Sequence, residues 1–314
     1  METPKPSKGR RNLYAWTELL SSTAVDSLCS PFFRLRCVYA SAPVLLELGR
    51  TGDASLTTVS GSWNAIRASG MFSAALISLT LSALKKLNVI EKICEKPSKL
   101  VGSAIHVDEH DSGVLQVVKG AIGATLVAAL PALLYQPLLT ILHRVSVDMD
   151  SATLVESISK AITPIGERSV LRSLFIGYDV VVYSVLLGSF LLATRTALVS
   201  RKATGYVIAG NGLGLAAGVL SLVLDNLAFQ MSVSRTEDPR EMVRLLYTTQ
   251  GVAWLWRGVL LLGLEHFCVF FINGPRKSLL CNVIFKDVFD ALQQEQLEAQ
   301  LNALRASGMR FKAN

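Results

Sequence analysis

Glu265 and His266 interrupt an otherwise apolar run from Val259 to Ile272. A carboxylate in such a run is costly to keep in hydrocarbon, so it faces a cavity or a partner. Three roles fit Glu265: contact with a cationic solute or a proton, an internal clasp with Arg195, Lys119 or His266, or a place near a membrane interface. His266 also fits a plain hydrogen-bonded residue of a helix bundle. Asp26 and Asp179 stand in or beside other apolar runs and pose the same choice. Arg195, near the end of a run, suits a side chain that snorkels to headgroups. The four histidines are scattered and give no metal constellation. The five cysteines, Cys29, Cys37, Cys94, Cys268 and Cys281, show no CxxC spacing and read as small buried hydrophobes. No nucleophile with a partner base, no Walker-type loop and no nucleotide fingerprint occurs. Gly210-Asn211-Gly212-Leu213-Gly214 is glycine-rich, but it lies inside an apolar run, where small residues let helices approach. The residue types point away from an enzyme, and call for no cofactor and no metal.

The elements that must hold these residues follow from composition. Of 314 residues, 51% are hydrophobic and only 18% charged, and the mean hydropathy is +0.42. The charges cluster between long apolar stretches, the pattern of a multi-span membrane protein. The apolar runs far exceed strand length, and a helix satisfies its own backbone in lipid. The net charge of +7 does not imply nucleic acid, because the basic residues lie at span ends and tails, where they anchor to headgroups. Met1 to Arg11 is basic and lacks a signal-peptide core. It reads as a short targeting arm or a disordered cationic tail.

A repeat runs through the chain. Apolar runs rich in small residues reach Pro31, Pro137 and, in the third copy, Val223. A second landmark follows 30, 29 and 28 residues later: a glycine, then five positions on a large apolar residue, an arginine and a small residue. The three copies read Gly61–Ile66-Arg67-Ala68, Gly166–Leu171-Arg172-Ser173 and Gly251–Trp256-Arg257-Gly258. Each repeat therefore reads as a span, a short polar segment with its own helix, and a second span. Expected spans are 14–46, 69–93, 113–145, 173–199, 204–233 and 257–284, with short helices near 53–67, 151–172 and 237–255. Pro31 and Pro137 predict kinks. Gly210, Gly214 and Gly218, with Gly120 and Gly123, predict close helix packing.

With this pattern the chain resembles the mitochondrial carrier family over residues 14–285. That family has three such repeats, with Pro-x-Asp/Glu-x-x-Lys/Arg-x-Arg ending each odd helix, and glycine, aromatic, cation and glycine leading into each even one. Gly251 to Gly258 is the best match. The resemblance implies an all-α membrane protein, with six transmembrane helices in three pseudo-symmetric repeats and short matrix-side helices. Its divisions are a basic tail at 1–13, repeats at 14–100, 101–202 and 203–285, and a tail at 286–314. It also implies the mitochondrial inner membrane, with membrane lipids, cardiolipin included, as surroundings. Substrate contacts would fall two turns into the even helices, at Ala75, Val180 and Glu265, with Asp179 and His266 beside them. So cation-poor a wall suits a small zwitterionic or cationic solute.

The departures bear on mechanism. In the family, acids and bases of the three signatures form a ring of ion pairs that closes the matrix side. Here the acidic positions hold Phe33, Leu139 and Asp225, and the basic ones Arg36, Leu142 and Ala228. The family's cyclic pairing would join Asp225 to Arg36, one bridge of three, as the remaining gate. On the opposite face only Glu91 is charged among the equivalent positions. Both gates are thus largely apolar, and an apolar plug closes a pore by dewetting. Two functions remain open: an atypical solute carrier, or a transport-inactive carrier fold serving as a subunit or adaptor of a larger complex. The tail bears on the second. Leu297, Leu301 and Leu304 fall on one helical face amid Gln and Glu, which suits the membrane surface, the protein's own bundle, or a protein partner.

Overall fold

The computed structural model describes residues 6–72, 74–105, 112–164, 169–199 and 204–306. Among these, four helices are long and apolar enough to cross a membrane: Gly113–Val147, Tyr178–Val199, Thr204–Ser234 and Val259–Ile284. The chain is all-α and has the character of a multi-span membrane protein.

The first hundred residues build their long segments from broken helices. α1 (Lys8–Leu28) and α2 (Ser30–Glu47) meet at Cys29. Pro31 has no N–H to give, which suits the first turn of a new helix better than the interior of an old one. The expected span 69–93 is likewise two helices, α4 (Ala75–Lys86) and α5 (Val89–Ala104). Asn88 separates them in the left-handed conformation, φ 49°, which asparagine tolerates better than most residues. α5 buries Ile90 and Cys94 and turns its lysines outward. Helix also begins at Lys8, capped by the Ser7 hydroxyl, within the stretch read as a targeting arm or a disordered tail.

The rest of the chain follows the expected order. α6 (Gly113–Val147) runs through Pro131 and Pro137 as one helix. α9 (Tyr178–Val199), α10 (Thr204–Ser234) and α12 (Val259–Leu279) are the other long helices. A π-helical turn, Leu280–Ile284, prolongs α12 and leads into α13 (Lys286–Ala306). Short helices lie between: α3 (Val59–Ser69), α7 (Leu154–Ile162) with α8 (Val170–Leu174), and α11 (Pro239–Gln250). α3, α7 and α11 share a construction. Each starts at a side-chain cap, where Thr58, Thr153 and Asp238 accept from Gly61, Glu156 and Arg240 N–H; such caps satisfy donors that the first turn leaves open. Each then buries one pair of residues four apart: Ser62 and Ile66, Ser157 and Ala161, Met242 and Leu246. Four-apart residues share a face, so one stripe docks each helix.

The long helices pack in sequence around the bundle. α12 lies on α1 and α2, α1 on α4, α5 on α6, α6 on α9, and α9 on α10. Glycines bring α9 and α10 together. A Cβ on Gly210 would sit 2.6 Å from the Val199 side chain, and one on Gly214 would sit 3.1 Å from Arg195. Arg195 thus lies along α10. Gly120 and Gly218 meet nothing, and Gly123 only the Ile105 side chain, so those three do not bear out the expected close packing. Toward the short-helix side, α2, α6 and α10 also converge on one another. There Val44, Ile176, Val180, Met231, Met242 and Trp254 share one core.

Candidate functional site

The segment before α12 positions the site. Gly258 takes φ 86° as its N-cap, and a Cβ there would meet Arg36 and Ala40 of α2 at 3.4 and 3.5 Å. Arg257 donates to the Tyr39 and Thr57 carbonyls at 2.9 and 2.7 Å and stacks over the Tyr39 ring at 4.1 Å. This clamp fixes the start of α12 against α2. Glu265, two turns on, then meets the Arg36 side chain. Arg36 Nε donates to Glu265 Oε2 at 3.0 Å, with the two side chains 25% and 17% exposed. The Arg36 guanidinium also lies over the Phe33 ring at 5.1 Å.

Arg36 lines a cavity of about 250 Å³ between α2, α6, α10 and α12. His143, Asp225, Asn226 and Arg257 supply its other polar groups, and Phe229 and Leu262 part of its apolar wall. Asn226 donates to the Trp254 carbonyl at 2.8 Å, tying α10 to the clamp. Asp225 is exposed and accepts from the Ser184 hydroxyl at 3.4 Å. Among the described residues it has no cationic partner.

Aromatic rings close the floor. Phe33 of α2 stacks on His143 of α6 with centroids 6.1 Å apart, and His143 meets Phe229 of α10 edge-on at 5.0 Å. Cys37, Ala40 and Val233 pack beside Phe229. Farther along the same three helices lies a second cavity, of about 570 Å³, with Arg50, Arg144, Lys160, Arg235, Asp148 and Asp150 in its wall. Burial pushes Asp148 up, but hydrogen bonds from Ser151, at 2.5 Å, and Ser157 hold it below the ordinary carboxylate value. Two arginines fasten this level. Arg144 donates to the carbonyls of Ser232, Ala161 and Ser173 at 2.8–2.9 Å, and to the Ser173 hydroxyl at 3.0 Å. Arg34, 1% exposed, donates to the carbonyls of Ser146 and Asp148 at 3.0 and 2.8 Å and to that of Gly70. Both are held by carbonyls, which satisfy a guanidinium's forked donors without a carboxylate.

The site residues expected from sequence divide accordingly. Glu265 and Arg36 come together, but as partners of each other. The expected Asp225–Arg36 bridge is absent, because the clamp brings Glu265 to Arg36 first. Glu265 pairs with none of Arg195, Lys119 or His266. His266 is exposed and its Nδ1 meets the Leu262 carbonyl of its own helix at 2.8 Å. Val180, 3% exposed, faces the core instead of a cavity. Asp179 is exposed in the first turn of α9, where a carboxylate suits the helix dipole. Ala75 is half-buried at the start of α4 and lines none of the cavities described here. Asp26 meets Lys86 at 2.5 Å and the Ser82 hydroxyl, joining α1 to α4. Glu18 pairs with Arg276 at 3.0 Å, joining α1 to α12. Glu91 has a hydrogen-bond donor, the Tyr135 hydroxyl at 3.1 Å.

The base of the tail docks on the protein itself. Phe285 and Val288 are buried with Leu280 against Tyr14 and Leu292. Arg10 holds Asp287 at 2.6 Å and Arg11 holds Glu295 at 2.7 Å. Leu297 is 59% exposed; the side chains of Leu301 and Leu304 lie outside the described residues. Sequence reasoning did not single out His143, Phe229 or the clamp role of Arg257. The aromatic at an expected acid position, Phe33, was the available signal for an aromatic floor. Among the described residues no group of three or more His, Cys, Asp or Glu side chains gathers to hold a metal. Compared with known proteins, the chain matches no family model and no curated relative.

Proposed function

We propose that this chain is an atypical carrier-type protein of the mitochondrial inner membrane. Its three span–short helix–span units enclose a cavity that admits a small zwitterionic or cationic solute. α1 with α2 would form the first unit's first membrane passage and the stretch 69–93, α4 with the start of α5, its second, giving six in all. The observation that carries this reading is the Arg36–Glu265 pair, which bridges α2 and α12 at the wall of a cavity that also holds Asp225. A zwitterion offers the same two charges and competes for both partners. Such exchange needs an internal pair that breaks on binding, so that substrate biases one state over another. The three capped short helices and their matching buried pairs support the repeat. The aromatic floor supports closure by an apolar plug.

Purified protein in liposomes, loaded with a panel of zwitterionic and cationic amino acids, tests this by counterflow uptake. Uptake abolished by Glu265→Gln supports it. Uptake unchanged in that variant removes Glu265 as a contact, and no uptake of any solute removes transport.

The tail favours a second reading, a transport-inactive adaptor. Its base is fixed to α1 by two ion pairs while Leu297 stays exposed beyond them, which suits presentation of an apolar stripe to a protein partner. Native-gel migration far above the monomer, lost on deleting 286–314, would support it; a monomeric band excludes it.

A further inference from the structure

Around the bundle each long segment packs on the next until α10 and α12, which scarcely touch. Among the described residues they are tied at their foot, where Asn226 holds the Trp254 carbonyl just before α12 and Val223 and Leu224 pack in the core of Trp254. Few close contacts join the two helices beyond that foot, and the 250 Å³ cavity has walls on both. Leu222, Asp225 and Asn226 line it from α10, Val259 and Leu262 from α12, and Arg36 from α2. Two features of its charge are unusual. Asp225 is exposed and lacks a cationic partner among the described residues. Arg36 spends only Nε on Glu265, and its two terminal nitrogens have no acceptor among the described residues. An acid and a guanidinium edge thus stand open on one cavity.

Both helices carry exposed apolar side chains: Leu215 and Val219 on α10, Leu260 and Leu264 on α12. A free solute has no use for such lips, whereas acyl chains lie along them. The cavity is below the ~300–1,000 Å³ usual for small-molecule pockets, and suits a headgroup whose chains stay outside. We propose that it takes the headgroup of a zwitterionic phospholipid, entering sideways from the bilayer between α10 and α12. The amine binds Asp225 and the phosphate binds Arg36. This rests on the carrier-type reading above and names its substrate as a lipid instead of a free solute.

The test is native mass spectrometry of the full chain from micelles holding equal phosphatidylethanolamine and phosphatidylglycerol, which share the phosphate but not the amine. The expected result is retention of phosphatidylethanolamine by about tenfold or more, the ratio given by ~1.4 kcal/mol. Asp225→Asn should remove that preference, and Leu222→Trp, which fills the cavity without adding charge, should reduce retention of both lipids. Equal retention, or a preference unchanged in folded Asp225→Asn, overturns the proposal. If Asp225→Asn does not fold, Leu222→Trp decides: undiminished retention in that variant overturns it. Soluble glycerophosphoethanolamine separates the two readings in the liposome assay. Its uptake without lipid retention leaves the carrier reading standing and refutes the lipid. Neither uptake nor retention refutes both.

Discussion

Arg10 and Asp287, from opposite ends of the chain, share two hydrogen bonds of 2.6 and 3.0 Å. The Arg10 hydrogen bond holds the Asp287 carboxyl below its ordinary value. A carboxylate depressed in the folded state adds stability that is fully present above its unfolded value, near 4. That contribution is lost as pH falls through the folded value. The latch of α13 on α1 should therefore be intact at neutral pH, begin to weaken below about pH 4 and open only as pH falls through the depressed folded value. Limited proteolysis of α13 between pH 7 and pH 3 measures this. Asp287→Asn should expose the tail already at pH 7; a cleavage profile identical to the unsubstituted chain would show that the latch does not hold it.

The Arg36–Glu265 pair is mostly withdrawn from solvent, so removing one partner strands a charge. Arg36→Met and Glu265→Leu alone should each cost about 2–4 kcal/mol, at or somewhat below the range for fully buried pairs. Replacing both, Arg36→Met with Glu265→Leu, should cost less than the sum of the single changes, because neither charge is then left alone. Thermal melts of the four proteins in one detergent complete the cycle. Additive losses would mean that the two side chains are not energetically coupled.

How far these relationships were readable differs by element. α6, α9, α10 and α12 were legible because apolar length alone marks a span. Near Cys29 the sequence flagged a kink through Pro31 but not a new helix, and the break at Asn88 was not legible, since an asparagine in the left-handed conformation leaves no mark in an apolar count. The level of Glu265 was legible from the repeat, but its partner was not. Equivalent positions suggested Asp225 for Arg36, whereas the partner is set by where Arg257 and Gly258 pin α12, a tertiary event. Val180 was misplaced for a similar reason. Counting along a helix fixes its height and leaves its facing undetermined, and α9 turns Val180 toward Val44 and Met231. The caps of the short helices, by contrast, are written locally in Thr58, Thr153 and Asp238.

The aromatic floor separates the two cavities, so thinning it should open a path between them. Phe229→Ala removes the edge-on partner of His143 and should cost roughly 3–5 kcal/mol, as buried Phe truncations do. It should also raise leakage of small ions from loaded liposomes. His143→Phe keeps a ring in place and should stay tight. Equal leakage by Phe229→Ala and the unsubstituted protein would mean that the seal lies elsewhere.

Gly177 and Gly251 allow backbone strain to be separated from packing. Both have positive φ, 83° and 59°. A side chain at Gly251 would enter open space, while a Cβ on Gly177 would lie 3.0 Å from the Ala228 carbonyl oxygen and 3.2 Å from its Cα. At φ 59°, ψ −145° Gly251 occupies a region kept almost wholly by glycine, so Gly251→Ala should lose the cost of that backbone alone, about 1–3 kcal/mol. Gly177→Ala must add to that the displacement of α9 from α10, since backbone atoms cannot move aside as a flexible side chain does. Overpacking of this kind costs about 1–3 kcal/mol more. The midpoint of thermal unfolding should fall further for Gly177→Ala than for Gly251→Ala. The two equal in their losses would mean that Ala228 yields, and that the α9–α10 contact is softer than its glycines imply.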